Sequence, residues 1–296
     1  MTNDLGQLDV FYGDLTVNRA FIYARLPIPA EPGTWSLTGQ VRGPRCFLAE
    51  TLPVTSPLLD LGPGPTLLAR ATIPDPCFWS PDLPAIYDVT INLLRGMQIV
   101  ATARRELGLR ALGVRGRHLA LESKRWVLRG VSSESTSATL PRQWHETSAA
   151  LVAVNAEHEV LAEASQWGAI CAAEVRGTPE QTSDRLRQLS QYPGVAIALV
   201  RGNLVADFQR PQFAPNLLLA QVISRGDELV ARPWANLLWA QTDDPLLVGR
   251  ITTLAELPVV ACRKLPDPQP LAAARAACDV LQRDLASIGQ FAGYIV

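Results

Sequence analysis

Residues 194–205 read GVAIALVRGNLV. From Val195 to Arg201 the run is apolar at almost every position, the pattern of a β-strand buried on both faces. Gly202-Asn203 breaks the run and Leu204 follows it. Strands of this kind occur in parallel sheets covered by helices, where chemistry collects at the strand ends and the loops that follow. Here that position offers no acid, base or nucleophile.

The same grammar extends in both directions. Strands are expected at WVLRGVSS (126–133), LVAVN (151–155), AICAAEV (169–175), VAIALVRG (195–202), NLLLAQVI (216–223), WANLLWAQ (234–241), LPVVACRKL (257–265) and GYIV (293–296). Helical patterns lie between several of them. EHEVLAEASQWG puts Val160, Leu161, Ala164 and Trp167 on one face. PEQTSDRLRQLSQ follows Thr178 as N-cap with Pro179 at N1, and LAAARAACDVLQRDLASIG ends on Gly289. Eight such strands alternating with helices predict a (β/α)8 TIM-like barrel over 113–296. At about 180 residues against a usual ~250, it is a reduced barrel. The fourth and fifth crossovers leave little room for helices, and an uncovered barrel face would favour a homo-oligomer.

Upstream of residue 113 the pattern is all-β. AFIYARLPI, TWSLTGQV, TLLARATI, IYDVTINLL and QIVATARREL are separated by Gly/Pro turns at sandwich-like intervals, and Arg95-Gly96 marks a hairpin. Residues 1–112 are therefore expected to form one immunoglobulin-like β-sandwich.

Composition narrows the partners. A net charge of −1 gives no pull toward nucleic acid or an anionic membrane. No basic n-region opens the chain, and no apolar run reaches the roughly 18 residues a membrane span needs. Five cysteines, none in a CxxC pair, fit reduced thiols and a cytoplasmic setting.

Several segments, in order, resemble glycoside hydrolase family 2, the β-galactosidase, β-glucuronidase and β-mannosidase group. WSPDLPAIYDVTINL (79–93) resembles the strand pair of that family's immunoglobulin-like domain, and RRELGLRAL (104–112) its closing segment. HLALESKRWVLRGVSSES (118–135) resembles the family's lead into the barrel, with Glu122-Ser123 in place of an Asn-Gly turn. ASQWGAICAAEV (164–175) resembles its third strand. The family's N-terminal jelly roll has no counterpart.

The resemblance implies a sandwich followed by a barrel, and a retaining mechanism that needs two carboxylates roughly 5–5.5 Å apart. The family's acid/base glutamate ends the fourth strand, where this chain has Leu204 after Gly202-Asn203; its nucleophile ends the seventh, where Arg263 stands. Leucine transfers no proton, and an arginine stays protonated. Ser132 and Glu134 replace an asparagine and a histidine after strand one, and Asn155 falls near a substrate-contacting arginine. The expectation is a glycosidase-like protein that has lost family catalysis and binds carbohydrate, or serves a structural role.

The remaining candidates each carry two readings. Glu174 either binds sugar hydroxyls or pairs with Arg263, or it simply closes a salt bridge at the barrel mouth. Asp243-Asp244 form either a carboxylate pair, working with Glu174 in a hydrolase of different mechanism, or a helix N-cap before Pro245. Trp234 and Trp239 are either a sugar-stacking platform or core. Asn203 and Arg263 complete the ligand-binding candidates. His145-Glu146 and Glu157-His158-Glu159 lack zinc spacing, Ser132-Ser133-Glu134-Ser135 lacks a nucleophile elbow, and GVRGR and GPGP read as turns. No cofactor or metal is expected.

Overall fold

The computed structural model describes residues 5–133, 140–154, 157–201, 214–241, 244–254, 256–265, 267 and 269–296. The chain divides into two compact units, Met1–Arg110 with Ser190–Pro193, and Ala111–Leu189 with Gly194–Val296.

The first unit contains β1 (Asp9–Gly13), β2 (Arg19–Leu26), β3 (Trp35–Arg45), β4 (Val54–Asp60), β5 (Leu67–Pro74), β6 (Ile86–Arg95) and β7 (Gln98–Leu107), ordered β1-β2-β5-β4-β3-β6-β7. The order is that of an immunoglobulin-like sandwich whose two sheets share one strand. β4 pairs with β3 through Val54–Leu58 and then with β5 through Leu59 and Asp60. The sequence pattern picks out five of the seven strands. β4 escapes it because Pro57 and the change of sheet interrupt its alternation. In β2 the alternation is strict: Ala20, Ile22, Ala24 and Leu26 face the core, and Arg19, Phe21, Tyr23 and Arg25 face outward. The β6–β7 turn lies one residue later than expected. Gly96 takes a left-handed conformation (φ +60°), so Arg95 still pairs with Gln98 and the turn is Gly96-Met97.

Tyr87, at the start of β6, is almost fully buried, and its hydroxyl accepts from the Cys77 N–H at 2.8 Å. A tyrosine near the start of this strand that bonds back to upstream backbone is the tyrosine corner of immunoglobulin-like domains.

The second unit opens with a three-stranded meander, β8 (Leu112–Arg115), β9 (His118–Leu121) and β10 (Lys124–Trp126). The β9–β10 turn is Glu122-Ser123, with φ of +50° and +65°. Both central residues are left-handed, the geometry that Asn-Gly satisfies and that bulkier residues resist.

Eight parallel strands then close into a barrel: β11 (Leu128–Ser133), β12 (Ala150–Ala153), β13 (Cys171–Glu174), β14 (Val195–Arg201), β15 (Leu218–Ser224), β16 (Leu237–Gln241), β17 (Val259–Cys262) and β18 (Gly293–Ile295). Around it lie α1 (Leu140–Glu146), α2 (His158–Trp167), α3 (Pro179–Ser190), α4 (Pro245–Leu254) and α5 (Leu271–Asp284). The barrel is complete. Three-residue β18 bridges β17 and β11, and a Cβ on Gly293 would come within 2.8 Å of the Leu128 Cβ and 2.9 Å of its carbonyl oxygen.

Of the crossovers expected to lack helices, residues 202–213 after β14 lie outside the described residues, and contacts are seen on β15 and β18. The residues between β15 and β16 form no helix, but the buried Gln221 side chain holds that loop. Its amide donates to the Val230 carbonyl (2.9 Å), and its oxygen accepts from the Arg232 N–H (2.7 Å). α5 packs on β11 and β18, with Arg129 donating to Asp279 (2.8 Å) and Gln282 (2.7 Å). Its helix ends at Asp284 rather than at the expected Gly289. Among the described residues no helix is long and apolar enough to cross a membrane.

Candidate functional site

In a closed parallel barrel one face of every strand points into the core and the other toward the helices, and register neighbours share a face. Three side chains settle which is which. Arg129 and Arg263 bond to α5, and Gln221 bonds to the covering loop, so all three point outward. Following the pairing from them puts Gly130, Val152, Ala172, Ala220, Trp239, Val260 and Gly293 on the inward face. Trp239 is 2% exposed, so its indole belongs to the barrel core and shows no stacking surface. The small residues at Gly130, Gly293, Ala172 and Ala220 leave the volume such a side chain needs. Trp234 is equally buried but lies before β16, in the covering loop.

At the C-terminal ends the inward positions turn polar: Ser132, Glu174, Arg201, Ser224, Gln241 and Cys262 end β11 and β13 to β17. All six reach solvent at least in part, whereas the inward residue two positions below each is buried. This ring of strand tips is the candidate site, at the face where barrel enzymes build theirs.

Glu174 is its charged centre. The side chain is 12% exposed, and its carboxylate accepts from Arg176 (3.0 Å) and from Arg201 on the neighbouring strand (3.4 Å). Arg263 is elsewhere. Its guanidinium donates to Asp284 at the end of α5 (2.6 Å). The pairing of Glu174 with Arg263 therefore does not form, because one side chain points into the barrel and the other out of it. Cys262 is the inward residue at the end of β17. The apolar run VVAC carries no polarity alternation, which is why the sequence could not tell Arg263 from Cys262 as the mouth residue.

Asp244 caps α4, its Oδ1 accepting from the N–H groups of Leu246 (2.9 Å) and Leu247 (3.4 Å), with Pro245 opening the helix. Asn203, Leu204 and Asp243 lie outside the described residues, as do Glu134 and Asn155. His145 and Glu146 end α1, and Glu157–Glu159 start α2. Among the described residues no three His, Cys, Asp or Glu side chains converge on a metal-sized site.

No protein-family model matches the chain, and no curated protein matches its sequence. Solved structures do match in fold. An FMN-binding β-glucuronidase from Facaelibacterium prausnitzii L2-6 superposes with a TM-score of 0.66 at 11% identity, covering 98% of this chain and 55% of the enzyme. The chain resembles glycoside hydrolase family 2 in structure. A family 2 member from Bacteroides cellulosilyticus gives a TM-score of 0.66 at 11% identity over 99% of this chain and 43% of that one. A Parabacteroides merdae β-glucuronidase gives 0.60 at 14% identity over 98% and 46%. The chain thus spans about half the length, or less, of the family 2 structures it matches.

Proposed function

We propose that this chain is a glycosidase-like protein that binds carbohydrate at the barrel mouth and no longer hydrolyses it. The observation that carries the reading is the state of Glu174. Among the described residues it is the only carboxylate on an inward strand tip, and two arginines hold it. Retaining hydrolysis needs two carboxyl groups facing one bond, one of them protonated at the start. Each oxygen of the Glu174 carboxylate is engaged by a guanidinium, and no second carboxylate among the described residues faces it from an inward strand tip. Asp244 serves the α4 N-terminus, and the sequence places Leu204 where the family's acid/base glutamate would stand. The polar tips Ser132, Ser224 and Gln241, with Glu174, offer the donors and acceptors that sugar hydroxyls use. Five cysteines outside any disulfide fit a reducing, cytoplasmic setting.

The test pairs binding with turnover. Aryl β-glucuronides, β-galactosides and β-mannosides should show no hydrolysis above background. Saturation-transfer NMR with the free sugars should show contacts that Glu174→Gln weakens. Turnover abolished by Glu174→Gln would overturn the reading.

A further inference from the structure

The outer face of the β1–β2–β5 sheet carries a row of side chains that the fold does not require. Phe11 and Tyr23, register partners across β1 and β2, stack with ring centroids 5.2 Å apart, and Phe21 meets Tyr23 edge-on at 6.3 Å. Two guanidiniums lie over the Phe21 ring, Arg19 at 4.7 Å and Arg70, from β5, at 4.6 Å. Arg25 lies over Phe11 at 5.3 Å and pairs with Asp9 at 2.9 Å. Arg19 and Arg70 are exposed, and no carboxylate among the described residues lies within salt-bridge reach of either.

Two like charges drawn to one ring repel each other, and no carboxylate among the described residues neutralises them. A guanidinium held over a ring by cation–π attraction spends no N–H donor on that contact, so both remain able to take an incoming carboxylate. The face is about 20 Å long from Arg19 to Arg25 by the rise of an antiparallel strand. It holds three arginines against one aspartate in a chain of net charge −1, so the positive potential is local.

We propose that this face is a binding platform for an acidic oligosaccharide. Arg19 and Arg70 take its carboxylates, and the edges of Phe21, Tyr23 and Phe11 pack against its sugar rings. A nucleic acid is less well matched, because it calls for a longer basic track than two unpaired cations. An acidic peptide is recognised by strand addition at a sheet edge, whereas Arg19 and Arg70 stand on β2 and β5, inside the β1 edge. The platform lies in the sandwich and is independent of the mouth reading.

Affinity electrophoresis of the full chain through polygalacturonate, and through the same polymer fully methyl-esterified, tests the proposal. The chain should be retarded by the acid and not by the ester, and salt should weaken the retardation. Arg19→Gln with Arg70→Gln should weaken binding by about tenfold or more, as expected for the loss of two charge-assisted contacts. Thr72→Glu, which puts a carboxylate beside Phe21 on β5, should do the same without removing a platform residue. Arg117→Gln, the same charge change at an exposed position between β8 and β9, should leave this binding unchanged. No retardation of the wild-type chain, equal retardation of the first two variants, or equal retardation by polyglutamate or oligouridylate would overturn it.

Discussion

β2 and β14 show two ways of using one geometry. In β2 the period-two alternation is written in polarity, because one face meets the core and the other meets water. In β14 six of the seven residues are buried, and the inward and outward faces look alike. Both strands are legible as strands, but only in the first does the sequence say which way each side chain points. In the barrel that information comes from what the side chains touch: Arg129 and Arg263 on α5, Gln221 on the loop, Glu174 and Arg201 on each other.

The largest effects should come from the places where backbone meets backbone. Gly293→Val puts side-chain atoms where the Leu128 backbone already sits, at the closing strand of the barrel. It should cost about 3 kcal/mol or more, the range of severe overpacking. The sandwich counterpart is Gly39→Ala, whose Cβ would fall 1.9 Å from the Thr90 carbonyl oxygen at a φ of +156°. Urea denaturation followed by tryptophan fluorescence measures both. A Gly293→Val chain as stable as wild type would show that β18 does not close the barrel this way.

Next is Gln221→Leu. It keeps approximate volume but strands the Val230 carbonyl and the Arg232 N–H, so it should cost about 2–4 kcal/mol. Amide exchange should accelerate across residues 225–236. Unchanged exchange there would mean that the loop is held by its other contacts, such as Asn236, which accepts from the Leu219 N–H at 2.9 Å.

In the sandwich, Tyr87→Phe removes the acceptor for Cys77 and should cost about 1–2 kcal/mol. Burial pushes the Tyr87 phenol up to about 12. A raised folded value means that the associated stability is complete below pH 10, the unfolded value, and is lost as pH rises from 10 through 12. Tyr87 should account for about 2–3 kcal/mol of the wild-type loss, as two pK units imply. The Phe variant should lose less, retaining the alkaline dependence of Tyr12 and Tyr294, whose phenols are also raised by burial. Equal alkaline loss in both chains would assign the effect elsewhere.

The fold was largely legible in the sequence, and the site only in part. All eight barrel strands fall at apolar runs of strand length, because burial on both faces leaves a compositional trace. Glu174 was legible as a strand-end acid. Its partners were not, since Arg201 reaches it across the sheet and Arg176 from the loop after β13. Asp244 was legible as a cap because Asp-Pro before an apolar run has a local meaning. Arg263 was misplaced because VVACRK carries no phase. The aromatic row on β2 was hidden for the opposite reason: Phe and Tyr at alternate positions read as ordinary strand formers, and Arg70 joins them only by sheet pairing.

A smaller change should stabilise the protein. Glu122 and Ser123 hold left-handed conformations, each of which costs a β-carbon-bearing residue about 1–2 kcal/mol, with less in it for Asn or Gly. Replacing them with Asn-Gly should raise stability by about 1 kcal/mol, after the added freedom that glycine brings to the unfolded chain. An unchanged or lower thermal midpoint would show that Glu122 or Ser123 makes a compensating contact.

The smallest expected effect is the sharpest test of the two faces. Arg263→Ala removes a pair that is one-third exposed or more on both sides, 34% for Arg263 and 45% for Asp284. Such a pair is worth about 0–1 kcal/mol. Because the side chain points to α5, the change should leave any sugar contact at the mouth untouched. Arg201→Ala, on the inward face, should alter that contact by freeing Glu174 from one of its two clamps. The two arginines stand at comparable strand ends and differ only in phase. If Arg263→Ala changed the sugar contacts as strongly as Arg201→Ala, the inward face of β17 would have to be reassigned, and with it the ring of tips that defines the site.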